Sequence, residues 1–165
     1  MKKTVLVMHG PNLSALGRRL PDIYGTLTLA ALNGLIKKRA AGLRLDVKFF
    51  QANGEGELID WLEANSSRAH GLVINPAAYT HYSYALRDAV EACGLPAAEV
   101  HLSDISRREP FRRTSVIKPV CLRQFKGKGE LSYVEALEFL AKHIRRHPGE
   151  AGGRRGKTFT EAGAS

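Results

Sequence analysis

The sequence predicts an α/β fold: one domain on a five-stranded parallel, doubly wound sheet, flavodoxin-like in strand order. Three observations predict it. Short apolar runs alternate with segments of helical period, which calls for parallel strands joined by right-handed helical crossovers. The 165 residues, 44% hydrophobic and 25% charged, match one domain with a substantial core. No internal repeat divides them.

The first strand is the run Thr4 to Met8, followed by a long loop and a helical stretch from Thr28 to about Gly42. Leu43 to Phe50 alternates as a strand, and the helix from Glu57 to about Arg68 sets Leu58, Trp61, Leu62 and Asn65 on one face. Gly71 to Asn75 is the third strand. Ser83 to Cys93 reads as a helix with Ala85, Leu86, Ala89, Val90 and Cys93 toward the core, stopped by Gly94-Leu95-Pro96. Ala97 to His101 is the fourth strand and Ser115 to Leu122 the fifth. Leu131, Val134, Leu137, Leu140, Ala141 and Ile144 form the stripe of a last helix. Residues 1–147 make the domain, and the Gly-rich basic stretch 148–165 reads as a flexible tail.

Composition narrows the function classes. No apolar run approaches the roughly 20 residues needed to cross a bilayer, and Met1-Lys2-Lys3 begins no cleavable leader, so a cytoplasmic location and no membrane partner are expected. Cys93 and Cys121 form no Cys-x-x-Cys pair and read as small core hydrophobes. The formal charge of +9 suits nucleic acid or an anionic metabolite. Only Phe111 stands among the Arg107 to Arg113 cluster, so no aromatic-interleaved basic ladder supports nucleic acid as a partner. No Gly-rich phosphate loop follows any strand, which argues against a nucleotide cofactor. His143 and His147 lack a third ligand nearby, so no metal is expected and no cofactor is assigned.

In doubly wound sheets ligands bind beyond the carboxyl ends of the strands. Three loops converge there: His9 to Gly25, unusually long; Asn75 to His81; and His101 through Arg112. They supply a phenol, arginines, histidines, carboxamides and a serine, an inventory that suits an acidic small molecule.

His9-Gly10-Pro11-Asn12-Leu13, Tyr24-Gly25, Gly56-Glu57-Leu58-Ile59-Asp60-Trp61, Asn75-Pro76, Ala78-Tyr79-Thr80-His81, Leu86-Arg87-Asp88-Ala89, Glu99-Val100-His101-Leu102-Ser103 and Arg108-Glu109-Pro110-Phe111-Arg112 follow in order. Together they resemble the type II 3-dehydroquinate dehydratases, over roughly Val5 to Leu140. The resemblance implies a cofactor-free hydro-lyase of the shikimate pathway or of quinate breakdown, removing water from 3-dehydroquinate by anti elimination through an enolate. It implies Tyr24 as general base, Arg19 as the cation that favours tyrosinate, His101 as general acid, Glu99 as its orienting carboxylate, and Asn12 as holder of a water at the enolate oxygen. It further implies Asn75, Leu102 and Ser103 as the substrate-carboxylate pocket and His81 and Arg112 as contacts to ring hydroxyls. Asp88 would reach a neighbouring subunit's site in a dodecamer of four trimers. The alternative is a non-catalytic or divergent paralogue binding a quinate-like or amino-dehydroquinate metabolite. His9 and His70 read as satisfied structural histidines. The chain departs from the family pattern at Ser14, Leu20, Gly54, Ala77, Asp104, Ser106 and Arg123, Ala77 standing where Gly is usual and Asp104 where Asn is.

Overall fold

The computed structural model describes residues 1–18 and 26–149. Five strands, β1 (Lys3–His9), β2 (Leu45–Gln51), β3 (Gly71–Asn75), β4 (Ala97–His101) and β5 (Arg123–Lys126), form one sheet in the order β2-β1-β3-β4-β5. Every pairing is parallel. The order reverses at β1 and β3, and between their carboxyl ends lies the crevice where doubly wound sheets bind ligands.

Among the described residues four α-helices cover the sheet: α1 (Leu29–Gly42), α2 (Glu55–Ser66), α3 (Tyr84–Ala92) and α4 (Leu131–Arg146). Period-2 alternation splits the core in two. Val5, Val7, Val73 and Val100 pack against Leu32 and Ile36 of α1 and Leu137 and Leu140 of α4. On the opposite face Leu6, Met8, Leu72 and Ile74 pack against Leu58 and Leu62 of α2 and Leu86 and Val90 of α3. Burial on both faces explains why β1 and β3 read as unbroken apolar runs.

Side-chain caps set where the helices begin. The Thr28 hydroxyl accepts the Ala31 N–H at 3.1 Å and starts α1, and Ser83 does the same for α3, accepting from Leu86 at 2.9 Å. The helix α2 begins two residues before the expected Glu57, because the Glu57 carboxylate reaches back to the Gly54 N–H at 3.1 Å.

Two expectations need correction, the fifth strand and Ala85. The fifth strand is Arg123–Lys126, not Ser115 to Leu122. Pro119 has no N–H to give a ladder, and the Ser115 hydroxyl takes the N–H groups of Ile117 and Lys118 at 3.2 and 2.9 Å, so this run turns locally into a 3-10 segment at Lys118–Val120. Its apolar residues Val116 and Ile117 are nevertheless buried, under the second core. Asn65 lies beside Trp61 on the expected face of α2, bonding Lys48 and the Trp61 carbonyl, while Trp61 stacks on Phe50 at 4.9 Å. Ala85 is exposed. Cys93 and Cys121 are free and half-buried, and burial raises both thiols.

Candidate active site

The site begins with two close-packed turns. The Gly10 N–H donates to the Asn75 carbonyl at 2.7 Å, and a Cβ on Gly10 would lie 2.5 Å from the Pro76 carbonyl oxygen, so only glycine lets the β1 and β3 loops touch. Next to it Asn12 adopts the left-handed conformation (φ 67°), with its backbone N–H on the Asn53 carboxamide oxygen at 2.9 Å. Ala77 is left-handed too (φ 51°) and is held there by the Asn75 side-chain oxygen, which accepts its N–H at 3.1 Å.

A cavity of about 370 Å³ opens at these strand ends. Of the residues expected at the site, Asn12, Asn75, His81, His101, Leu102, Ser103 and Arg112 line it. Glu99 stands behind His101. Asp88 is exposed on α3 and is not part of the lining. Arg19 and Tyr24 lie outside the described residues, as does the tail from residue 150 on.

Glu99 and His101 project from the same face of β4, and the two-residue spacing brings the imidazole Nε2 to 2.7 Å from the Glu99 carboxylate. Glu99 is fully buried and His101 is 5% exposed. A buried carboxylate without partners would take up a proton, but this one is satisfied on both oxygens. Thr80 donates to it, Ser115 lies 2.8 and 3.0 Å from its two oxygens, and the Gln124 amide donates at 3.0 Å. Burial pushes the Glu99 carboxyl up, and the His101, Thr80 and Ser115 contacts together outweigh it, leaving the acid below its ordinary range. Glu99 is thus a fixed anion beneath His101. The proton on Nε2 faces Glu99, and Nδ1 is the ring nitrogen left for the cavity that His101 lines. An imidazolium in this position can give its Nδ1 proton to a leaving oxygen, with its charge matched from behind.

Across the cavity His81 donates through Nδ1 to the Thr114 carbonyl at 2.8 Å and meets the Phe111 ring edge-on. Burial lowers its pKa, so at neutral pH His81 offers Nε2 as a hydrogen-bond acceptor. Arg112 lies over the Phe111 ring, 4.7 Å from its centre. Its buried Nε is 3.3 Å from Glu109, within ion-pair reach but out of line for a hydrogen bond. Arg108 also lies within ion-pair reach of Glu109, at 3.4 Å, and both residues line the cavity. Sequence reasoning placed Arg108 and Glu109 in a motif without giving them a part in the site. The signal was their position three to four residues before Arg112, which lets one carboxylate serve both guanidiniums.

Asp104 does not face the cavity. Its carboxylate caps the 3-10 turn Ile105–Arg107 through the Ser106 N–H at 3.1 Å and lies 3.4 Å from the Lys126 ammonium. The Ser106 hydrogen bonds and Lys126 hold this half-buried acid below its ordinary range. Among the described residues no group of three His, Cys, Asp or Glu is arranged to hold a metal ion, and no helix is long and apolar enough to cross a membrane.

Comparison with known proteins shows the family of the chain. The family model described as dehydroquinase class II matches residues 3–141. The chain is 52% identical over 134 residues to a 3-dehydroquinate dehydratase of Dictyoglomus turgidum, covering 81% of this chain and 92% of that one. It is 48% identical over 145 residues to a 3-dehydroquinate dehydratase of Roseiflexus castenholzii, covering 88% and 92%. The crystal structure of a type II dehydroquinase from Butyrivibrio crossotus superposes with a TM-score of 0.82 at 40% identity, covering 84% of this chain and 97% of that one.

Proposed function

The chain belongs to the class II dehydroquinase family and is a hydro-lyase acting on 3-dehydroquinate, and we propose how its residues divide that reaction. The observation that carries the proposal is the buried Glu99 anion hydrogen-bonded to a His101 that lines the cavity. The reaction removes a proton from the carbon beside a ketone, passes through an enolate and expels the neighbouring hydroxyl on the opposite face. Two proton transfers need two groups.

Tyr24 takes the carbon-bound proton as tyrosinate, and Arg19 favours that anion, since a nearby guanidinium lowers a phenol pKa from its usual value of about 10. His101 protonates the departing hydroxyl through Nδ1, and Glu99 stabilises the imidazolium and fixes the ring. Asn12 holds a water at the enolate oxygen, which is electrostatic stabilisation by a positioned dipole. Asn75 and the Leu102-Ser103 segment bind the substrate carboxylate, and His81 and Arg112 bind ring hydroxyls. His81 as an acceptor and Arg112 as a cavity-lining guanidinium donor suit those roles.

The proposal extends to a cytoplasmic homo-oligomer, a dodecamer of four trimers in which Asp88 reaches a neighbour's cavity. An exposed Asp88 outside its own cavity lining supports that reading, as do the exposed Tyr82 and Tyr84 beside it. The test is direct: purified protein mixed with 3-dehydroquinate should give the ultraviolet absorbance rise of the conjugated product. A flat trace with saturable binding of substrate would mean a binding paralogue instead.

A further inference from the structure

Ser115 is not among the residues lining the cavity, yet its hydroxyl is bound on every side. The oxygen accepts the N–H groups of Ile117 and Lys118 at 3.2 and 2.9 Å. A hydroxyl has two acceptor lone pairs and one proton, so those two bonds leave only the proton to place. The carboxylate of Glu99, with its oxygens at 2.8 and 3.0 Å, is the charged and therefore stronger acceptor within reach. Thr80, whose hydroxyl lies 2.9 Å from that of Ser115, also donates to Glu99.

Glu99 thereby receives four donors, from Thr80, Ser115, Gln124 and His101, on the roughly four acceptor sites of an ionised carboxylate. A neutral acid would have to turn one of those sites into a donor, facing a group that already donates. The same carboxylate competes for the Nε2 proton of His101. Fewer donors make it more basic, and a proton drawn from Nε2 to Glu99 turns an imidazolium into a neutral ring holding only its Nδ1 proton, a far weaker acid. The turn that Ser115 begins also reaches the other cavity histidine. The Val116 N–H donates to the Thr80 carbonyl at 2.8 Å, and the Thr114 carbonyl accepts from Nδ1 of His81 at 2.8 Å. Val116 and Ile117, buried in the second core, anchor this turn.

We propose that Ser115 is a positioning residue for the general acid: its O–H, with both lone pairs committed to the turn, holds Glu99 as an anion and so keeps the Nε2 proton on His101. The residues beside it hold His81 with its proton on Nδ1, so the segment Thr114–Lys118 sets the ring protons of both cavity histidines. The proposal rests on the acid role given to His101 above.

Steady-state kinetics of Ser115→Ala, Glu99→Gln and the double variant test it. Ser115→Ala should lower kcat roughly tenfold, the scale of one hydrogen bond to a charged group, with KM for 3-dehydroquinate within about threefold because Val116 still holds the turn against Thr80. In the Glu99→Gln background the same substitution should change kcat by less than about twofold, since no anion is left to support. A parent kcat in Ser115→Ala, a KM that rises as much as kcat falls, or a tenfold loss that persists in the double variant overturns the proposal. An unchanged kcat in Glu99→Gln would instead remove the charge role of Glu99, and that of Ser115 with it. A measurement on the unmodified protein covers a Ser115→Ala chain that fails to fold. Nitrogen NMR at pH 7 should find a proton on Nε2 of His101 and on Nδ1 of His81, and a ring lacking its stated proton would contradict the proposal.

Discussion

The Nε2 nitrogen of His101 lies 2.7 Å from a Glu99 carboxylate that Thr80, Ser115 and Gln124 also contact. This cage keeps a buried acid ionised, and its purpose follows from charge: the acid form of His101 is a cation, and a cation out of water needs a matched anion. Glu99→Gln keeps the shape and removes the charge. Its kcat should fall by about 10²-fold, the low end of what a positioned acid contributes, with KM within a few-fold of the parent. A kcat equal to the parent's would show that orientation alone suffices.

Acid should weaken the fold through the same interior. The folded pKa of His9 is about 4 against an ordinary 6.5, so between those values the unfolded chain binds a proton that the folded chain does not. Stability is then full above pH 6.5 and declines as pH falls toward 4, by about 3 kcal/mol in all. Glu99, also lowered, adds a loss that begins below its ordinary 4.5. Denaturant titrations at fixed protein concentration should show the decline starting near pH 6.5, and His9→Gln should flatten the upper part. An equal slope in both proteins would mean that another group titrates there.

Much of this was legible in the sequence, and the exceptions have physical causes. The strand-helix alternation carried the sheet because β1 and β3 are buried on both faces and apolar from Val5 to Met8 and from Leu72 to Ile74. The fifth strand was not legible. Val116 and Ile117 are as apolar as a core strand but are buried by a turn that Pro119 and Ser115 impose, whereas Arg123–Lys126 is polar because it lies at the sheet edge. At the site, the lining residues came from motifs at strand ends. The hydrogen bonds of His9 to Tyr133 and Asn33 join β1 to α4 and α1, and no spacing along the chain announces them.

Ala77 stores backbone strain at the cavity wall. A left-handed φ of 51° costs an L-residue roughly 1–2 kcal/mol, which glycine would avoid while losing about 0.4–1 kcal/mol through the freer unfolded chain. Ala77→Gly should therefore be stabilising by about 0.5–1 kcal/mol, read as a higher denaturation midpoint at unchanged m-value. A destabilised variant would mean that the methyl group packs for more than the strain it causes.

Asp104 sits one residue beyond Ser103 yet turns toward Ser106 and Lys126. Its charge faces the Lys126 ammonium, and Asp104 is not among the residues lining the cavity. Asp104→Asn should keep kcat/KM for 3-dehydroquinate within about threefold, a change of less than about 1 kcal/mol. A tenfold gain would show that the carboxylate is felt in the cavity after all.

The division of labour between Tyr24 and His101 is the central claim, and deuterium exchange separates the two proton transfers. In heavy water His101→Ala should still let Tyr24 form the enolate, so 3-dehydroquinate recovered from the mixture should carry deuterium beside the ketone. Dehydration, followed by ultraviolet absorbance in the same sample, should fall by roughly 10²–10⁴-fold, the range for a lost general acid. Exchange that persists while dehydration collapses is the predicted result. Dehydration at the parent rate, or exchange and dehydration lost together in a folded variant that still binds substrate, would contradict it.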